Sequence, residues 1–197
     1  GGVDHALELF ERVAKMDTPL KGYARLQQAL AQTRLGKQRE ALLIYDAVLS
    51  GEPAPEVRLA ALAGKAENLL ELGAKGPDEA LIQQAQALYE TLAADEAVTP
   101  AWRGQALAGK GRCLELLQRP EEALAAYYDV LQDGVTQPEE YFWFYKAGFD
   151  AGRLCEKRAE WKSAIGIYQK IAAQSGPRSE EARARAEQLR LEHFIWE

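Results

Sequence analysis

Pro120-Glu121-Glu122-Ala123-Leu124-Ala125-Ala126-Tyr127-Tyr128-Asp129-Val130-Leu131 is the stretch on which the fold turns. Its Ala123, Tyr127 and Leu131 are spaced i, i+4, i+8, so on a helix they form one stripe with a ring projecting between smaller neighbours. The same phrase recurs as Ala6-Phe10-Ala14, Ala41-Tyr45-Leu49, Ala85-Tyr89-Ala93 and Ala164-Tyr168-Ala172. A proline follows every copy, Pro19, Pro53, Pro100, Pro138 and Pro177, 8 to 11 residues after the aromatic. A ring without an N–H ends one helix there and opens the next. Successive aromatics are 35, 44, 38 and 41 residues apart. Self-similarity at this length marks a solenoid, in which each unit buries its face only against its neighbours.

A second series of helices lies between the aromatic ones and aligns at a small residue: Ala29, Ala66, Gly111 and Gly152. Two of its members are near copies, because Ala61-Leu62-Ala63-Gly64-Lys65 matches Ala106-Leu107-Ala108-Gly109-Lys110 at an offset of 45, with Leu69 against Leu114 and Leu72 against Leu117. Each unit therefore reads as a helical hairpin. Glycine inside a helix costs about 1 kcal/mol relative to alanine, so Gly111 and Gly152 point to helices that approach closely there. The expected helices are a lone one at 3–16, then pairs at 22–35 and 38–50, 56–73 and 78–95, 101–118 and 120–132, 139–158 and 160–174, and a last one at 179–196. No segment alternates apolar and polar residues for the length of a strand.

Composition supports a stack of helices: 197 residues, 47% hydrophobic and 27% charged, rich in straight-chain helix formers. The formal net charge of −6 opposes general binding of phosphate backbones, so nucleic acid is excluded as a partner class. No apolar run approaches the roughly 18 residues that span a bilayer, and membrane insertion is not expected; the chain reads as soluble. Cys113 and Cys155 sit inside apolar helical patterns without CxxC or metal spacing and read as buried reduced thiols.

On these residues the chain resembles the tetratricopeptide repeat (TPR) family, whose unit is a helix-turn-helix of about 34 residues. The match rests on Ala29, Gly36, Ala41, Tyr45 and Pro53 in the first full unit, Leu107, Gly111, Ala123 and Tyr127 in the third, and Gly152, Trp161, Ala164 and Tyr168 in the fourth. The resemblance implies an all-α fold, a right-handed α-α superhelix of antiparallel helix pairs closed by a C-terminal capping helix. It also implies a non-catalytic scaffold whose first helices line a concave face that receives an extended or helical peptide. The chain departs from the family in three ways. Every period exceeds 34, Gln28, Lys65 and Lys110 replace aliphatic residues, and the second unit carries an insertion around Ala74-Lys75-Gly76-Pro77. The expected division is a single array over 1–197: the second helix of a partial repeat at 3–21, repeats at 22–55, 56–100, 101–138 and 139–177, and the cap at 178–197.

The two ends read separately. Asp4 to Lys15 resembles the second helix of a unit whose first helix lies upstream, which makes the chain a fragment of a larger repeat protein; the other reading is an N-terminal cap. Gly1-Gly2 without an initiator Met fits a processed or engineered start as well as a natural linker. At the other end Ser179 is the expected N-cap, with Glu180 and Glu181 in the first turn. The tail Leu191-Glu192-His193-Phe194-Ile195-Trp196 is expected to fold back on the fourth repeat.

Catalysis has little to work with. His5 and His193 stand at opposite ends, and no phosphate loop, HExxH, CxxC or GxSxG motif occurs. No enzyme, metal or cofactor is expected. Acidic pairs such as Glu121-Glu122 fall at helix starts, where they complement the helix dipole. The resemblance directs attention instead to residues beside the small positions: Glu67, Arg112 and Arg153, with Lys146 and Phe149 on the helix of Arg153. Lys146, Phe149 and Arg153 share a face at i, i+3, i+7. Arginine's forked donors suit a carboxylate, so the expected partner is a protein or peptide with acidic character, and Phe149 is its apolar anchor. The run Tyr141-Phe142-Trp143-Phe144-Tyr145 covers every side of a helix, so one or two of its rings must fall outside the packed stripe. Self-assembly, or a structural segment of a multidomain protein, is the alternative role; the oligomeric state is open.

Overall fold

The computed structural model describes residues 2–16, 18–132 and 134–195. Among these, ten α-helices account for the regular structure apart from one short 3-10 turn at Pro138–Glu140. The chain divides into two compact units, Gly1–Leu92 and Ala93–Glu197. The first unit holds α1 (Gly2–Lys15), α2 (Lys21–Arg34), α3 (Gln38–Leu49), α4 (Pro55–Lys75) and most of α5 (Glu79–Ala94). The second holds α6 (Pro100–Leu116), α7 (Pro120–Leu131), α8 (Tyr141–Lys157), α9 (Trp161–Ala172) and α10 (Ser179–Glu192). Consecutive helices pack on one another from α1 to α4 and from α6 to α10, α5 is tied to α4 by the bond from Tyr89 to Glu67, and next-but-one helices α2 and α4, and α6 and α8, also touch.

Local chemistry explains the boundaries. Pro55, Pro100 and Pro120 open α4, α6 and α7, where a missing N–H costs nothing. Asp78 caps α5, accepting from the N–H groups of Ala80 and Leu81 at 3.0 and 3.2 Å. Ser179 does not cap α10. It is the first helical residue, and its hydroxyl donates to the Gly176 carbonyl at 3.0 Å.

The four hairpin turns, 35–37, 76–78, 117–119 and 158–160, recur at a constant 41 residues, and so do the second helices that follow them. Each turn is closed by the same 2.9 Å bond from the N–H of its last residue to a carbonyl five residues back: Lys37 to Gln32, Asp78 to Gly73, Arg119 to Leu114 and Glu160 to Cys155. The middle residue is left-handed in three turns, at Gly36 (φ 74°), Gln118 (φ 57°) and Ala159 (φ 57°). This is the Schellman arrangement, which satisfies carbonyls at a helix end.

The constant turn spacing corrects two expectations. Of the insertion expected around Ala74–Pro77, Ala74 and Lys75 complete α4, and Gly76 and Pro77 form a hairpin turn that keeps the common spacing. Counting by 41 from Ala29, Gly111 and Gly152 reaches Leu70 rather than Ala66, and from Tyr45, Tyr127 and Tyr168 it reaches Gln86 rather than Tyr89. Where the other hairpins carry a small residue and a tyrosine at these positions, the second carries a fully buried Leu70 and a half-buried Gln86. Its tyrosine has moved three residues along α5 and hydrogen-bonds Glu67 at 2.9 Å.

The core is built on the tyrosines. Tyr45, Tyr89, Tyr127 and Tyr168 are all at least 97% buried, as the stripe pattern predicts, while the acidic first turns of the second helices (Glu40, Glu79, Glu121, Glu122) are exposed. Gly111 and Gly152 make room for Tyr127 and Tyr168 of their own hairpins, whereas Gly64 makes room for Tyr45 of the preceding helix. Around Tyr45 the buried Asn68 is satisfied by donating to the Gly64 carbonyl (2.7 Å) and the Thr33 hydroxyl (2.9 Å). In the second unit Leu114, Leu131, Phe144, Ile167, Ile171 and Leu189 complete a continuous core. Cys113 and Cys155 are buried free thiols.

The C-terminal helix ends at Glu192, four residues before the expected position. It packs on α9 through Ala182, Ala186 and Leu189. His193 then stacks on Trp161 with ring centroids 3.8 Å apart, and Ile195 packs against the core. Phe194 departs from the expected fold-back: at φ 55° its side chain turns outward and is 78% exposed. Trp196 lies outside the described residues. Of the aromatic run, Phe144 and Tyr145 are buried, Tyr141 and Trp143 partly so, and Phe142 is left exposed.

Candidate functional site

In the second unit the first helices α6 and α8, with α10 beyond them, present a charged face built outward from the tyrosines. The Tyr127 hydroxyl donates to Glu115 at 2.6 Å, and that of Tyr168 donates to Glu156 at 2.7 Å. In both pairs the acid lies 12 residues before the tyrosine, directly before the end of the first helix. Burial, then the neighbouring carboxylate, pushes both phenols well above the usual tyrosine range, so each remains a donor.

Each carboxylate also faces a cation from the next helix but one. Arg153 on α8 lies 3.5 Å from Glu115 on α6 and 3.1 Å from Asp150 on its own helix. Arg185 on α10 grips Glu156 on α8 through two nitrogens. Burial pushes the Glu156 carboxyl up, but the bonds from Arg185 and Tyr168 outweigh it and hold the group below the ordinary glutamate value.

Of the residues singled out by sequence, Lys146, Phe149 and Arg153 do share one face of α8. Lys146 is engaged by Asp150 at 2.9 Å, so Lys146 and Arg153 flank a carboxylate instead of forming an uninterrupted basic stripe. Phe149 is partly buried, 5.6 Å from the Tyr168 ring, and the Arg178 guanidinium caps it at 3.9 Å from the ring centroid. Arg112 is an exposed residue of α6, three positions before Glu115. Glu67 belongs to the first unit, where it accepts from Tyr89. Between α8 and α10 an open groove runs past Phe149, Asp150, Arg153, Glu156, Arg185 and Gln188.

Sequence reasoning missed Glu115, Asp150, Glu156 and Arg185. The available signal was the repeated interval of 12 between acid and tyrosine, with Thr33 and Tyr45 as its uncharged counterpart. Among the described residues, no group of three or more His, Cys, Asp or Glu side chains is placed to hold a metal ion. No helix there is long and apolar enough to cross a membrane.

The arrangement defines a helical-repeat protein of TPR-like fold, and solved structures agree. The chain is similar to the kinesin light chain nearly identical TPR-like repeats of Podospora anserina, with a TM-score of 0.59, 16% identity and 90% of each chain covered. It is also similar to a tetratricopeptide repeat protein from Parabacteroides merdae, with a TM-score of 0.56, 20% identity, and 98% of this chain and 72% of that one covered. No protein-family model matches the chain, and no curated protein does. Folds of this kind are typically protein-interaction scaffolds and usually non-catalytic.

Proposed function

We propose that the chain is a non-catalytic scaffold that receives a peptide or protein segment of acidic character on the first-helix face of its second unit. Arg153 is the central contact, Arg112 and Lys146 orient the same segment, and Phe149 offers an apolar edge; Glu67 serves a separate contact on the first unit. The observation that supports this reading is the open groove beside Arg153, a side chain 53% exposed and held only by ion pairs. The arginine is the exposed member of its pair and Asp150, 14% exposed, also holds Lys146 at 2.9 Å, so a partner carboxylate that draws Arg153 away leaves Asp150 with a counter-charge.

The test is selection of peptides from a displayed library, followed by titration of the selected peptides against an Arg112→Gln, Arg153→Gln double variant. Neutral replacements are preferred to charge reversal, because a glutamate at 153 would stand beside both Asp150 and Glu115. Selected sequences should be acidic, and binding should weaken in the double variant and with added salt. Full retention of binding by a folded double variant would refute the site. Selection of uncharged or basic sequences at this face would refute the partner chemistry.

A further inference from the structure

A second cleft opens where α6 and α8 begin, and its chemistry is opposite to that of the tyrosine–carboxylate face. It has a volume of about 450 Å³, within the range of small-ligand sites, and Pro100, Trp102, Gln105, Glu139, Glu140 and Trp143 line it. An adjoining cleft shares Pro100, Glu140 and Trp143. Trp143 fits here because Gly104 has no side chain, since a Cβ at that position would stand 3.3 Å from the Trp143 Cβ. Phe142 meets Trp143 edge-on at 4.7 Å and is itself 65% exposed.

The carboxylates give the cleft its specificity. Glu140 is only 9% exposed. Its two oxygens accept from the Thr136 N–H at 2.9 Å and the Thr136 hydroxyl at 3.0 Å, both neutral donors, and among the described residues it forms no ion pair. A carboxylate removed from water without a counter-charge is costly, and each oxygen retains an acceptor site. Glu139 is exposed and borders the cleft together with Trp143. No lysine or arginine lines this cleft. Arg103, on the adjoining one, reaches towards the Asp95 carbonyl at 3.5 Å.

Indole rings beside unneutralised carboxylates suit a planar cation that can stack and fork at once. We infer that this cleft binds an arginine side chain carried on an extended, basic segment of a partner protein. The guanidinium lies against the tryptophans and bonds Glu139 and Glu140, while residues flanking the arginine rest on Pro100 and Phe142. Charge complementarity selects this occupant: the cleft holds two acids and no base on a protein of net charge −6.

The experiment titrates the full chain with a blocked Ala-Pro-Arg-Pro-Ala peptide and with its citrulline counterpart, which keeps the shape and removes the charge. Indole N–H resonances are followed for the four tryptophans, assigned through Trp102→Phe and Trp143→Phe variants. The arginine peptide should shift Trp102 and Trp143 saturably by about 5 mM, and the citrulline peptide should bind at least about tenfold more weakly. Glu139→Gln and Glu140→Gln should each weaken binding by about threefold or more, while Arg112→Gln with Arg153→Gln should leave it unchanged. Should Glu140→Gln loosen the turn at Thr136, as a lowered melting temperature would reveal, Glu139→Gln alone decides. Absence of a saturable shift by about 5 mM, equal binding of the citrulline peptide, or shifts confined to Trp161 would each overturn the inference.

Discussion

Adding one methyl group at Gly111 or Gly152 should lower stability, whereas the same change at Gly166 should raise it. A Cβ built on Gly111 stands 2.4 Å from Tyr127 Cε1, with two more ring carbons at 2.7 and 2.8 Å; on Gly152 it stands 2.4 Å from Tyr168 Cζ. Non-bonded carbons settle at about 3.5 to 4.0 Å, so each ring would have to withdraw by about 1 Å. Neither ring is free to do so. Both are buried, and their hydroxyls are tied to Glu115 and Glu156 at 2.6 and 2.7 Å. Overpacking of this kind costs about 1 to 3 kcal/mol, and alanine's better helix propensity returns about 1 kcal/mol.

The net expectation for Gly111→Ala or Gly152→Ala is a loss of up to about 2 kcal/mol, which at about 4 to 8 °C per kcal/mol lowers the melting temperature of a unit this size by up to about 16 °C. Gly166 sits mid-helix in α9, exposed, with nothing within 4 Å of its would-be Cβ, so Gly166→Ala gains the propensity term alone, about 0.5 to 1 kcal/mol. Urea and thermal unfolding, followed by far-ultraviolet circular dichroism, read all three. If Gly111→Ala raises the midpoint as Gly166→Ala does, the close ring-to-backbone approach is not what holds these hairpins together.

Ala159→Gly and Gln118→Gly should each raise the unfolding free energy by about 0.5 to 1 kcal/mol, read as a higher urea midpoint, since the left-handed turn strains a side-chain-bearing residue by more than glycine's extra entropy costs; a lower midpoint in both would remove strain from the account of these turns. The Glu156 carboxyl is depressed in the folded state, so its contribution is present above the unfolded value near 4.5 and is lost as pH falls through the folded value. The stability difference between the wild-type chain and Glu156→Gln should accordingly be widest near neutrality and close below about pH 4.5, and a difference that stays constant down to pH 3 would show that charge is not its source.

The tyrosine stripes, the small residues facing them and most helix boundaries were legible because they rest on periodicity within one helix. The constant 41-residue interval was not. Tyr89 lies three residues past the in-phase position 86, close to one helical turn, so Ala85-Tyr89-Ala93 presents the same stripe as its neighbours although its register has slipped. The near copies at 61–65 and 106–110 reinforced the slip, because local sequence identity does not fix the distance to the next turn. The same limit applies to the charged face. Lys146, Phe149 and Arg153 lie on one helix and could be grouped by spacing, whereas Glu115 and Arg185 come from other helices, and only the packing brings them to Arg153 and Glu156. Phe194 was misjudged for a different reason: apolar character predicted burial, but the left-handed turn at that residue points its ring away from the surface that Ile195 reaches.

The way each carboxylate is shared constrains any partner of this face. Glu115 is bonded by a buried phenol on one side and approached by Arg153 on the other, and Asp150 lies between Arg153 and Lys146. A partner carboxylate that draws Arg153 outward leaves Asp150 with Lys146, but leaves Glu115 with the Tyr127 hydroxyl, which donates a hydrogen bond and supplies no charge. The loss is smallest when Arg153 keeps its reach to Glu115 and exchanges only Asp150, the contact made within its own helix. Under the proposed function the acid of a bound segment falls on the α10 side of Arg153, over the groove that Phe149 and Gln188 border, and away from α6. Geometry of this kind favours a segment running along the groove between α8 and α10 over one crossing from α6. Arg185 is committed to Glu156 at that side, so under the proposed function Arg153 is the cation that meets the acid first.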